Sequence, residues 1–313
     1  MMMDGVIVID KPAGKTSHDV VMAVKKALGV KKAGHTGTLD PLATGVLPVC
    51  LNEATKLAGF LTGEDKEYRA TMLLGVKTET MDIEGKIIGQ SDHLVSEEEI
   101  KSVINRMTGK IKQLPPAYSA VKYQGKPLYK WARKGVLPEL QPREVTIHSI
   151  VVESVSFPRV TFRVACSKGT YIRTLCSDIG DVLRTGACLS TLRRLQSGIF
   201  SEKTAVDLNG YAGNNQKEEL ARRILPMTEL LPLVTTIELE DHSAVKLRNG
   251  WQPSVEMLKK HDLPLLKAGD MIKFTHGGSL LAVAEMLASV HSFSGFDGKT
   301  QAARIVRVFN VGK

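Results

Sequence analysis

VTIHSIVVESV (residues 145–155), the three-residue joint SFP, and RVTFRVAC (159–166) together decide the fold. In the second segment Val160, Phe162 and Val164 alternate with Thr161, Arg163 and Ala165, the period of a strand with one buried face. Both segments read as strands. Three residues are too few for a helical crossover, so the two strands are antiparallel neighbours. Residues 67–74 alternate in the same way, with Tyr68, Ala70, Met72 and Leu74 opposite Glu67, Arg69 and Thr71. Residues 5–9, Gly-Val-Ile-Val-Ile, read as a buried strand that stops at Asp10-Lys11-Pro12. Helices lie between the strands. Ser17 is the expected N-cap of one whose apolar stripe is Val20, Val21, Val24, Ala27 and Leu28 and whose stop is Gly29. Ser96-Glu97-Glu98-Glu99 is a capping box opening a second, continued by Ile100, Val103, Ile104 and Met107. Thr170 is the expected cap of a third, running to about Leu183. Interleaved helices with short strand connections predict an α+β fold: a mixed, largely antiparallel sheet flanked by helices.

The texture changes near residue 232. Pro226 and Pro232 are followed by short β-like pieces at 234–239, 271–274, 279–286 and 303–311, separated by turns such as His276-Gly277-Gly278. The expected division is a large domain over 1–232 and a small, mostly β domain over 233–313.

Composition narrows the function. Hydrophobic residues make up 43% of the 313 and charged residues 24%, enough apolar material to build a core, which excludes disorder along the whole length. No window of 18 uncharged apolar residues exists and no basic region precedes the first apolar run, so neither a membrane span nor a signal peptide is expected. The four cysteines form no CxxC pair, and the histidines show no HExxH or paired spacing, so no metal is expected. Gly14-Lys15-Thr16 and Gly298-Lys299-Thr300 resemble the end of a phosphate loop, but Ile9 and Phe293 stand where its first glycine is needed. No GxGxxG is present, and no cofactor is expected. Lys plus Arg is 42 against 33 Asp plus Glu, a net +9, which suits an enzyme acting on nucleic acid.

Four segments carry candidate chemistry. GHTGTLDPLATGVL (34–47) packs three glycines, three threonines, a His and an Asp-Pro step into fourteen residues. Asp40 precedes Pro41 and is pushed toward an extended backbone. It either closes a turn or is a carboxylate held rigidly for nucleophilic chemistry. KGTYIRTL (168–175) places Tyr171 and Arg173 in the first turn of a helix, where a cation opposes the dipole at a cost of about 0.3–1 kcal/mol. Arg173 is either solvated, paired with Asp178, or paired with Asp40. Residues 110–134 hold seven Lys or Arg and no acid, interleaved with Tyr118, Tyr123, Tyr129 and Trp131. Cations neutralise phosphates and aromatics stack on unpaired bases; the alternative is that the aromatics pack beneath a loop. LSTLRRLQSG (189–198) offers Arg193 and Arg194 as phosphate contacts or a surface pair, and Leu192 as core.

In combination these segments resemble the tRNA pseudouridine-55 synthase family of the TruB type. The resemblance runs through DKPAGKTSHD (10–19), GHTGTLDPLATGVL (34–47), KEYRATMLLG (66–75), LPPAYSAVK (114–122), SKGTYIRTL (167–175) and TLRRLQSG (191–198), in order and at matching spacing. It implies a pseudouridine synthase catalytic domain followed by a PUA-like RNA-binding domain, acting without cofactor or metal on the T loop of the tRNA T arm, in the cytoplasm, as a monomer with no obligate protein partner. It also implies residue roles. Asp40 is the catalytic aspartate, Arg173 its paired arginine, and Tyr68 the active-site tyrosine favoured as base for the C5 proton. Tyr171 and Leu192 line the uracil pocket, and His35 supports the everted loop. Lys11 belongs to the block near the active site, and Lys122 and Lys126 are expected phosphate contacts. A cation within about 4–6 Å lowers a carboxylate pKa by roughly 1–3 units, so Arg173 is expected to hold Asp40 ionised. Two other readings compete. A nucleoside hydrolase would want two carboxylates at the bond, and the loop offers one. A non-catalytic tRNA-binding or tRNA-folding protein would need only the basic, aromatic segment.

Overall fold

The structure, a computed structural model, describes residues 3–136, 138–210 and 216–310. Its main sheet is built from β1 (Gly5–Lys11), β2 (Thr44–Leu51), β3 (Lys66–Leu74), β4 (Gly109–Gln113), β5 (Arg143–Ser156), β6 (Arg159–Cys166) and β7 (Ala187–Ser197). In space they run β1-β2-β7-β3-β6-β5-β4, with Leu225–Pro226 added beyond β1 and Ala33–His35 beside β2. Every pairing on this path is antiparallel except β2–β7. The mixed, largely antiparallel sheet is therefore present, and β5 and β6 pair as their short connection requires. The Tyr68 face of β3 is buried along its length.

The parallel step sets up the site. Arg193 and Arg194 of β7 register with Thr44 and Gly45 of β2. Gly45 has φ +98°, and a Cβ there would lie 2.2 Å from the carbonyl oxygen of Arg194, so only glycine lets the strands close. The loop entering β2, residues 36–43, is thereby delivered to the middle of the sheet.

Three helices matter: α1 (Ser17–Leu28), α2 (Glu97–Arg106) and α3 (Ile172–Val182). α1 ends at Gly29 in the left-handed conformation, and α2 begins with the Ser96–Glu99 capping box. Two expected caps are different. The N-cap of α1 is Thr16, reciprocally bonded with Asp19, and the N-cap of α3 is Tyr171, with no side-chain cap. Thr170 Oγ1 instead donates to the Ser167 carbonyl at 2.9 Å. Ser17, freed from capping, is buried and does something more consequential, described below.

A four-stranded sheet follows: β8 (Thr235–Glu238), β9 (Met271–His276), β10 (Ser279–Met286) and β11 (Ala303–Val308), paired in that order. The expected strand pieces are there, joined by two short helices, Asp241–Arg248 and Val255–Leu258, that the turn-rich sequence concealed. Leu280, Val283 and Phe309 pack into one apolar cluster with Val6, Val8, Val46 and Cys50 from the outer face of β1 and β2 and with Leu57 from the helical turn that follows β2. The small sheet is thus seated on the large one. Among the described residues no helix is long and apolar enough to cross a membrane.

Candidate active site

A cleft of about 590 Å³ opens above the centre of the main sheet, and Asp40, Tyr68, Tyr171, Arg173 and Leu192 all line it. They come from the 36–43 loop, β3, the start of α3 and β7, so four separate stretches converge. The pivot is Arg173. Its buried guanidinium places Nε 2.9 Å from Oδ2 of Asp40 and Nη1 3.5 Å from Oδ2 of Asp82. Nη1 also donates to the Thr80 carbonyl at 3.0 Å and Nη2 to the Tyr118 carbonyl at 2.8 Å. Of the two partners open in the sequence, Asp178 and Asp40, Asp40 is the one. The Nε–H is not aligned on the carboxylate, so the contact is a close ion pair rather than a directed hydrogen bond.

Asp82 was invisible to sequence reasoning. It sits on a turn stitched to β7 by Leu189 N–H to the Met81 carbonyl and Ile83 N–H to the Leu189 carbonyl, both 2.9 Å. Thr80 Oγ1 donates to its Oδ1 at 2.7 Å. The second acid of the site therefore comes from a segment with no local signature, through a tertiary crossing.

The direction of the Asp40 pKa shift departs from expectation. Burial raises its carboxyl above the ordinary range; Arg173 and Lys11 pull it down, Asp82 pushes it further up, and burial prevails. Arg173 limits the rise without reversing it. Tyr68 is likewise raised by burial, with its cross-strand partner Arg194 opposing the shift.

The loop holding Asp40 is clamped from several sides. Ser17 Oγ accepts the Leu39 N–H at 2.8 Å and donates to the Leu39 carbonyl at 3.0 Å. Arg194, fully buried, donates through Nε to the Val46 carbonyl at 2.7 Å and through Nη2 to the Gly37 carbonyl at 3.0 Å. It is not a phosphate contact, and neither is Arg193 a free one: Arg193 pairs bidentately with Asp10 at 2.9 Å and with Glu202 at 3.0 Å. Lys11, expected near the active site in a mainly structural role, is held away from the substrate side. Its Nζ is buried and donates to the carbonyls of Pro12, Lys15 and Pro41 at 2.9, 2.6 and 3.2 Å, and burial pulls its pKa down to about 8. Lys11 has no donor left for RNA; it fixes the Asp40-Pro41 turn.

The other expected contacts lie outside the cleft. His35 ends the strand Ala33–His35, and its Nδ1 accepts the Gly37 N–H at 3.4 Å. Lys122 and Lys126 sit exposed on a two-stranded hairpin beside the cleft. The aromatics of that segment partly engage one another. Tyr123 and Trp131 meet edge to face at 6.1 Å, Lys126 Nζ lies 5.8 Å from the Trp131 ring centre, and Arg133 lies 5.5 Å from that of Tyr129. Among the described residues no His, Cys, Asp and Glu cluster is arranged to hold a metal.

The family description "TruB family pseudouridylate synthase (N terminal domain)" matches residues 25–172, and "tRNA pseudouridylate synthase B C-terminal domain" matches 173–232. The tRNA pseudouridine synthase B of Syntrophus aciditrophicus is 53% identical over 98% of this chain and 99% of its own length. That of Geobacter sulfurreducens is 42% identical over 98% and 100%.

The chain belongs to the TruB family of pseudouridylate synthases.

Solved structures agree. The Cbf5 chain of an archaeal box H/ACA sRNP Nop10-Cbf5 complex superposes with a TM-score of 0.75, at 29% identity over 99% of this chain and 87% of that one. A chain from an H/ACA RNP bound to a substrate RNA containing 2'-deoxyuridine gives 0.74 at 28% identity, covering 99% and 86%. As a TruB-family enzyme this chain is a pseudouridine synthase, and the cleft is the place where its residues converge.

Proposed function

We propose that this enzyme isomerises uridine 55 in the T loop of tRNA, with Asp40 as the catalytic carboxylate acting on a uridine flipped into the cleft. The observation that carries the reading is the Asp40–Arg173 ion pair, set in a cleft whose walls include Tyr68, Tyr171 and Leu192. The names of the S. aciditrophicus and G. sulfurreducens relatives support tRNA as the substrate.

The chemistry is an isomerisation. The N1–C1′ bond breaks, the detached uracil turns within the cleft, and a C5–C1′ bond forms. The proton at C5 is lost to a base and N1 ends protonated, so nothing is consumed. Asp40 acts at the sugar, at C1′ or on the C2′ proton. Aromatic and apolar walls from Tyr68, Tyr171 and Leu192 keep the loose base near C1′ and exclude water, which protects the bond from hydrolysis. Tyr68 takes the C5 proton. Its raised pKa keeps it protonated in the free enzyme, and Arg194 is the group that favours its phenolate.

A stacked uridine must leave its loop before Asp40 reaches it, at a cost of a few kcal/mol. Exposed Lys122 and Lys126, with the rest of residues 110–134, offer phosphate contacts to offset that cost. Residues 233–313 serve as a PUA-like RNA-binding domain whose docking on β1 and β2 fixes its distance from the cleft. A tRNA substrate and four free, buried cysteines suit the cytoplasm.

The test is to incubate the purified chain with an unmodified tRNA pool and map pseudouridine at nucleotide resolution. Conversion at position 55 without added cofactor is expected. Conversion confined to other positions would overturn the assignment.

A further inference from the structure

Gln113 is the last residue of β4, on the edge of the main sheet, and only 2% of its surface is exposed. Its side-chain amide accepts the Tyr171 N–H through Oε1 at 3.0 Å and donates through Nε2 to the Tyr171 carbonyl at 3.3 Å. A single side chain thus holds both polar groups of one residue's backbone, across 58 positions of sequence.

The residue it holds is the N-cap of α3, and that helix start has no side-chain cap of its own. Tyr171 lines the cleft, and two positions later Arg173 carries the contact to Asp40. The backbone between them is one short step. A shift of α3 along its axis would carry the guanidinium away from Oδ2 of Asp40 and move the Tyr171 ring against the base. The Tyr171 backbone is fixed on one side by the sheet, through Gln113, and on the other by the helix, through Leu175 N–H to the Tyr171 carbonyl at 3.0 Å. Burial makes the clamp strong, because an amide hydrogen-bonded away from water has no replacement partner if its mate is lost.

We propose that Gln113 is a positioning residue for the uridine-isomerising reaction: its amide sets the start of α3, and through it the placement of Arg173 against Asp40 and of Tyr171 against the base. Gln113 does not touch substrate. It rests on the reading of Asp40 and Arg173 as the reacting pair. Its effect is on the rate of the chemical step and not on capture of RNA, since its amide is buried against Tyr171 while the exposed Lys122 and Lys126 lie on the hairpin beyond it.

The experiment compares Gln113→Met, which keeps length and loses both hydrogen bonds, with Gln113→Glu, which keeps an acceptor for the Tyr171 N–H and loses the donor to its carbonyl. Single-turnover rate on an unmodified tRNA transcript, the Kd for the same transcript, and the folded fraction by thermal melting are measured for each. Misplacing a catalytic group by about 1 Å costs up to about 100-fold in rate, so Gln113→Met is expected to lose at least about tenfold per folded molecule. Gln113→Glu should fall between it and the parent, with Kd within about threefold for both. A Gln113→Met rate per folded molecule within about twofold of the parent would overturn the proposal, as would a loss confined to Kd. Asp40→Asn run alongside separates the two claims. If it is inactive while Gln113→Met keeps the parent rate, the clamp is wrong and the site stands; if it is fully active, the site reading itself is wrong.

Discussion

Arg173 stands between two carboxylates, 2.9 Å from Asp40 and 3.5 Å from Asp82, and only the first of these faces an open cleft. The guanidinium spends its remaining donors on the Thr80 and Tyr118 carbonyls. One side chain therefore joins the loop of Asp40, the turn of Asp82 and the basic segment that begins at residue 110. Of these two acids, Asp40 is the one available to a nucleotide, with a cation fixed beside it.

Replacing Arg173 by Lys tests that join. A single ammonium cannot reproduce a planar fork that reaches four groups. Asp40 already sits above its ordinary carboxylate range, and Arg173 is the leading influence holding it down. Weakening that influence raises the pKa further, so the acid limb of the pH–rate profile moves to higher pH. We expect a rate loss of about 100-fold or more near neutrality, partly regained as pH rises. A profile whose acid limb does not move would mean that Arg173 does not control the ionisation of Asp40.

Tyr68 has a buried ring and a hydroxyl whose pKa is raised. Tyr68→Phe keeps the ring and removes the proton acceptor. General-base groups contribute about 100- to 10,000-fold, and the single-turnover rate should fall into that range while Kd for tRNA stays near the parent value. Parent-like turnover by Tyr68→Phe would take the C5 proton away from this residue.

The closest backbone approach in the site region is at Gly45. Gly45→Ala puts a Cβ 2.2 Å from the Arg194 carbonyl at φ +98°. The strain of that backbone alone is about 1–3 kcal/mol, and the clash adds to it. A drop in thermal midpoint of several degrees, with loss of activity, is expected. An unchanged melting curve would show that β2 and β7 tolerate separation.

Lys122 and Lys126 extend from the hairpin into solvent. Their joint replacement by Ala should weaken tRNA binding and flatten the log–log dependence of Kd on salt by up to about two phosphate contacts. A slope equal to the parent's would mean that the hairpin does not meet the RNA backbone.

Much of this architecture is legible in the sequence because its signals are local. The three-residue joint at 156–158 forces β5 and β6 to pair, the alternation in β3 fixes its buried face, and Gly29 stops α1. Asp40, Tyr68, Tyr171, Arg173 and Leu192 meet in one cleft as expected of them together. What the sequence hides depends on contacts between distant residues. Ser17 looks like a cap because Ser often is one, yet Thr16 takes that place and Ser17 turns inward to Leu39. Arg194 looks like an RNA contact because it is cationic. Only burial shows that carbonyl oxygens have taken its donors. Asp82 and Gln113 have no pattern around them at all, since their roles arise where a turn crosses β7 and where an edge strand meets a helix start. The direction of the Asp40 shift also needed the fold: a charge partner can be guessed from motifs, but the depth at which both are buried cannot.

The most direct measurement is tritium release from C5-labelled uridine in tRNA by Asp40→Asn, with the Kd for the same tRNA measured in parallel. Asparagine keeps the shape of the side chain and removes the negative oxygen beside Arg173. The account predicts no release above background with Kd within about tenfold of the parent, a range of about 1.4 kcal/mol. Release at the parent rate would contradict it.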